Sequence, residues 1–103
     1  MTPPIVLIIF YSRCGATEAQ ALAAAVGAVQ ERALIRLRRM PDCEAAVPKE
    51  CGEEFTRMQK EYVPPRETDL LSADARVVAI PTDQTLHSPE WIPYTSMAER
   101  LKS

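Results

Sequence analysis

The sequence lacks a basic leader. Met1-Thr2-Pro3-Pro4 carries no positive side chain, and the apolar run that follows, Ile5 to Phe10, is too short for a signal core or a membrane span. A cytoplasmic protein is expected. Cysteine is scarce: Cys14, Cys43 and Cys51 make an odd count with no C-x-x-C, so neither a disulfide framework nor a zinc site is expected. The single histidine, His87, leaves too few ligands for a metal centre. Charge of one sign is also missing. Lys and Arg number 12 against 14 Asp and Glu, a net −2, which gives no reason to expect nucleic acid or an anionic membrane as partner. No Gly-Lys-Ser/Thr follows a glycine loop, which excludes a Walker A site, and there is no G-x-G-x-x-G. No internal repeat or low-complexity tract is present.

What remains is an ordinary globular composition, 47% apolar and 25% charged over 103 residues. That length holds one domain, residues 1–103, near the small end for a doubly wound fold. Ile5-Val6-Leu7-Ile8-Ile9-Phe10 is apolar on both parities and β-branched, the habit of a parallel strand covered on both faces. Pro3 and Pro4 stop it extending backwards. From Thr17 the period changes. Ala19, Leu22, Ala23, Val26 and Val29 fall on one helical face, predicting a helix from Ala16 to Gln30 with that face inward. Gly27 inside it suggests close helix–sheet contact. Ala33 to Met40 then reads as a half-exposed edge strand, with Ile35 and Leu37 on one parity and Arg36 and Arg38 on the other. Strand, helix and strand make a right-handed βαβ unit.

Asp42 to Glu67 reads as a surface excursion containing a short helix, Gly52 to Tyr62, on the spacing of Phe55, Met58, Gln59 and Tyr62. Thr68 is the expected cap of a second short helix through Ala73. Arg76 to Ile80 is a third strand, ended by Pro81. Ser88-Pro89-Glu90 starts a helix that Pro93 interrupts, and Ser96 to Glu99 has the spacing of a capping box opening a last helix to Leu101. His87 reads as a solvated loop residue or a hydrogen-bonding group. Trp91 reads as a core aromatic or an interface anchor.

The chemistry concentrates in Tyr11-Ser12-Arg13-Cys14-Gly15-Ala16-Thr17-Glu18, at the carboxyl end of the first strand. A helix start presents unpaired N–H groups and a positive dipole end to an anion. Ser12 and Thr17 add hydroxyls, and Gly15 permits a positive φ. The pattern fits a phosphate monoester site and also a plain structural turn. A nucleophilic Cys14 is disfavoured, because no arginine follows it within a turn or two as a cysteine phosphatase would need.

Strand, Tyr-Ser-x-x-Gly-x-x-Glu, Ala-rich helix, then Arg-Arg-Met-Pro-Asp resembles flavodoxin-like proteins, most of all the NAD(P)H:quinone oxidoreductases also called tryptophan-repressor-binding proteins. Asp69-Leu70-Leu71-Ser72-Ala73-Asp74-Ala75, leading into an apolar strand and Pro81-Thr82, is similar to the family's second flavin element. The resemblance implies an α/β, flavodoxin-like three-layer sandwich, truncated, with parallel strands in order 2-1-3. It implies FMN, its phosphate at Ser12, Arg13, Cys14, Gly15, Ala16 and Thr17 and its ring beside Thr82, Asp83 and Gln84. NAD(P)H and a quinone would be the redox partners. Two departures stand out. Asp83 occupies the family's arginine position, where a carboxylate disfavours an anionic reduced flavin. The given sequence also stops after the helix following the third strand, which leaves that strand an open edge and implies a homo-oligomer. The alternative class is a non-catalytic half-flavodoxin that mediates interaction or oligomerisation without tight flavin binding.

Overall fold

A computed structural model describes residues 2–43 and 48–101. Residues 44–47 of the predicted surface excursion lie outside the described residues. The order of elements is β1 (Ile5–Phe10), α1 (Ala16–Gln30), β2 (Leu34–Arg39), α2 (Gly52–Glu61), α3 (Glu67–Ser72), β3 (Ala75–Ala79), a 3₁₀ turn (Pro89–Trp91) and α4 (Ile92–Arg100). The protein is α/β, with an all-parallel sheet in the order β2-β1-β3. Ile8 of β1 stands opposite Leu37 on one side and Val77 on the other. The central strand is therefore the fully apolar one, as its sequence requires. Residues 7–10 of β1 have no measurable exposure.

Alternate residues of β1 feed two apolar clusters. Leu7, Ile9 and Tyr11 pack with Met40, Leu70, Trp91 and Met97. Ile8 and Phe10 pack with Ala21, Ala25 and Met58. Each large side chain so buried contributes about 1.5–3 kcal/mol of transfer free energy. Trp91 lies wholly inside the first cluster, so the core reading of that residue holds.

The inward face of α1 differs from the expected one. Thr17, Glu18, Ala21 and Ala25 are buried, whereas Leu22, Val26 and Val29 are 43%, 58% and 55% exposed. An alanine-rich helix has two weakly apolar faces. The stripe of small residues lets the helix approach the sheet closely, and that contact outranks the larger side chains. Gly27 is exposed with nothing within 4 Å of a Cβ placed there, so close packing does not explain it.

Two other expectations change. The helix predicted to be capped by Thr68 begins at Glu67, and the Asp69 carboxylate accepts the Arg66 N–H at 2.9 Å. Pro93 interrupts nothing. It sits in the first turn of α4, where its missing N–H has no intrahelical partner to lose, and the helix runs unbroken to Arg100. The same Asp69 takes a two-pronged bond from Arg38 at 3.0 and 3.1 Å, tying β2 to α3. Burial alone would raise the Asp69 pKa, but Arg38 and the Arg66 amide outweigh it and hold the carboxyl below its usual range. Among the described residues no helix is long and apolar enough to cross a membrane.

A braced β1–α1 loop as the candidate anion site

β1 delivers its loop between the ends of β2 and β3, because Phe10 stands opposite Arg39 on one side and Ala79 on the other. The open, doubly flanked end of a parallel sheet is where α/β proteins place ligands. Gly15 takes φ +109°, a conformation closed to ordinary L-residues. A Cβ there would meet nothing nearer than Glu18 Oε1 at 3.7 Å, so glycine is required by backbone conformation and not by space. Ser12 Oγ accepts the Gly15 N–H at 2.9 Å and fixes the turn. The serine thus works as a local brace as well as a hydroxyl facing the loop.

Below the loop lies Arg39, only 4% exposed. Its Nη2 and Nε donate to the Ser12 carbonyl at 2.7 and 3.2 Å. Nη1 and Nη2 also donate to Asp42 at 3.0 and 2.9 Å. The guanidinium stacks on Tyr11 and Phe55, with centroids at 5.2 and 5.7 Å. Tyr11 in turn donates its hydroxyl to Asp42 at 2.7 Å. Burial works against the Asp42 carboxylate, but the bonds from Arg39, Tyr11 and Gln59 together hold its pKa low. Burial first, and then the Asp42 bond, raise the Tyr11 phenol, which stays a donor.

Glu18, in the first turn of α1, would repel an anion if left bare. It is 5% exposed and doubly bonded by Arg57 of α2 at 2.6 and 3.0 Å, with the Tyr62 hydroxyl at 2.6 Å. The Arg57 bond lowers its pKa, and burial followed by the Glu18 bond pushes Tyr62 up to about 12. The carboxylate is spent within the protein and opposes an anion at the α1 start less than a bare one would.

A cavity of about 160 Å³ is lined by Tyr11, Ser12, Arg13, Cys14, Ala16, Thr17, Pro81, Asp83 and Gln84. Of the nine residues that the resemblance assigns to FMN, Gly15 and Thr82 are absent from its lining. The two loops, more than sixty positions apart in the chain, therefore meet. The cavity is below the roughly 300–1,000 Å³ of small-molecule sites and suits a phosphate-sized group. A larger depression of about 790 Å³ follows α2 from Gly52 to Glu61, but among the described residues only this helix lines it.

The fit to a flavin mononucleotide differs at its two ends. The phosphate end has a glycine turn, helix amides and two hydroxyls. At the ring end Thr82 and Asp83 are exposed, and Gln84 is already engaged. Gln84 Oε1 accepts the Trp91 indole N–H at 3.2 Å, and Nε2 donates to Glu90 at 3.3 Å. His87 is exposed in the same loop, where its backbone N–H donates to the Thr85 hydroxyl at 3.1 Å.

The expectation that the cysteines form no disulfide fails here. Cys14 and Cys51, 37 positions apart in the chain, form a disulfide with Cα atoms 5.3 Å apart. It joins the loop to the N-cap of α2. Spacing rules see only neighbours in sequence, while this pair is created by packing α2 beside the end of β1. Arg39, Asp42 and Arg57 were also missed as site residues. The available signal was the basic end of β2, whose register continues into the loop. Comparisons with family models, with curated proteins and with solved structures return no match.

Proposed function

We propose that this chain binds a phosphate-bearing cofactor of the flavin mononucleotide type at the β1–α1 loop and serves NAD(P)H:quinone oxidoreductase-like electron transfer. The supporting observation is the convergence of Ser12, Arg13, Cys14, Ala16 and Thr17 with Asp83 and Gln84 around one cavity. In this reading the fold is a truncated flavodoxin-like sandwich. Ala16 and Thr17 supply amides to the phosphate, Ser12 and Thr17 supply hydroxyls, Gly15 makes the turn, and Arg39 holds the loop rigid from beneath. The ring lies over Thr82, Asp83 and Gln84. The bound flavin would supply the electron chemistry, and the chain would supply the cradle. Titration with FMN and with riboflavin, followed by flavin fluorescence, tests this. FMN should bind and riboflavin, which lacks the phosphate, should bind at least ~10-fold more weakly, the value of one good charge-assisted contact. Equal binding, or none by FMN, removes the proposal.

A second reading has its own observation. Leu22, Val26 and Val29 of α1 line, with Ile35 of β2, an apolar groove of about 290 Å³. Val77 on the edge strand β3 is 38% exposed. These surfaces support a non-catalytic, homo-oligomeric protein without tight flavin binding. Sedimentation as a stable monomer at micromolar concentration would remove it.

A further inference from the structure

α1 is a surface helix without charge on its surface. Of its 15 residues only Glu18 is ionisable, and Glu18 is buried against Arg57 and Tyr62. Every exposed position is Ala, Gln, Leu, Val or Gly. The exposed positions of α2, by contrast, include Glu53, Glu54, Arg57, Lys60 and Glu61. A helix that is apolar on all sides is normally covered on all sides. The sheet covers Ala21 and Ala25, while the adjoining face, with Leu22, Val26 and Val29, stays open in the single chain. Gly27 extends that open face. Inside a helix glycine is weaker than alanine, yet among the described residues nothing lies within 4 Å of a Cβ built at Gly27. The single chain supplies no neighbour that needs the missing side chain.

We propose that this face of α1 packs against the same face of a second copy of the chain, across a two-fold axis. The proposal rests on the homo-oligomer of the second reading and names its interface; it holds with or without a bound flavin. The occupant follows from the face itself. It offers no charge for a charged partner to complement, and two copies meet there without like charges opposed. It is also its own complement. Leu22 and Val26, four positions apart, stand as one ridge, and Ala19, Ala23 and Gly27 make a neighbouring row so low that it is a trough. A two-fold axis sets the ridge of each copy into the trough of the other, with the helices crossing at about −50°. Val29 and Ile35, which line the apolar groove of about 290 Å³ between α1 and β2, flank the contact. Gln20 and Gln30, exposed and neutral, supply a polar rim. Contact over the exposed part of this face buries roughly 600 Å² from each copy, the lower end for a specific interface, so a reversible dimer of micromolar strength is expected.

Sedimentation velocity on the full chain, from about 1 µM to about 200 µM, reads the assembly. The mass should rise from 11.5 kDa towards twice that value. Val26→Arg puts a charge into the contact while replacing an exposed side chain with a better helix former. It should keep the circular dichroism of the parent and raise the dissociation constant at least ~100-fold, the effect of burying an unpaired charge. Ala23→Cys in a Cys43→Ser background should give a covalent dimer with a short bis-maleimide. Thr56→Cys in the same background, on the exposed side of α2, should not. A parent that stays monomeric throughout overturns both the proposal and the homo-oligomer. A dimer that Val26→Arg leaves intact, with no cross-link through Ala23→Cys, overturns the α1 interface and leaves the homo-oligomer standing on another surface, such as the β3 edge. Equal cross-linking of the two cysteine variants overturns the α1 interface as well. Should Val26→Arg fail to fold, the cross-link decides alone.

Discussion

The two loops that meet at the cavity are built differently. The β1–α1 loop is fixed from every side: a positive-φ glycine, the Ser12–Gly15 bond, a buried arginine beneath its carbonyl and a disulfide to α2. The loop after β3 exposes Thr82 and Asp83 and is held to the core chiefly through Gln84 and Trp91. The difference teaches where preorganisation lies. An anion met by the first loop finds its donors in place, whereas anything lying on the second meets a surface that other contacts have shaped.

The largest expected effect is on the braced loop. Arg39→Ala strands the buried Asp42 carboxylate and removes both donors from the Ser12 carbonyl. It should cost about 3–5 kcal/mol by chemical denaturation, the range for breaking a buried pair from one side. A loss below about 1 kcal/mol would show that the loop is not braced by this residue.

Acid should reach part of the same energy. Glu18, Asp42 and Asp69 have folded pKa values below their ordinary 4.5, 3.8 and 3.8. A lowered folded pKa gives stability that is complete above the unfolded value and is lost as pH falls through the folded one. Stability should therefore be flat from neutrality to about pH 5 and fall below about pH 4, with the fall shallower in Asp69→Asn. A melting temperature unchanged down to pH 2 would break the account.

Gly15→Ala forces a side chain into φ +109° and should cost about 1–3 kcal/mol while weakening any anion the loop holds. The unbraced loop should tolerate more. Thr82→Ala and Asp83→Asn change exposed side chains and should stay within about 0.5 kcal/mol of the parent. If FMN binds as proposed, Asp83→Asn should tighten it by removing a like charge. A stability loss at Asp83 comparable to that at Gly15 would erase the contrast between the loops. A small effect on the monomer is also expected at Leu22→Ser with Val26→Ser. These residues are exposed, so monomer stability should change by less than about 1 kcal/mol. A homo-oligomer formed through this face would dissociate, which sedimentation reads directly.

Some of this architecture was legible in the sequence to the residue. β1 and α1 begin and end where the apolar run and the alanine-rich helix do. Pro81 follows the last strand closely. The loop residues from Ser12 to Thr17 were visible because a βα turn carries its chemistry locally. The inward face of α1 was not legible, since choosing between Leu22 and Ala21 requires knowing how close the sheet comes. Pro93 was misread because proline's effect depends on its position in a helix that itself had to be known first.

The residues alone settle which strand is central, where the β1–α1 loop turns and which residue turns it. Those follow from patterning and from the one glycine that can adopt the required φ. The tertiary structure alone decided that Arg39 and Asp42 support that loop, that Arg57 neutralises Glu18, and that Cys14 bonds Cys51. Each of these joins groups on different elements. Their contact depends on sheet register and on where α2 docks, and neither is encoded in any short stretch of chain.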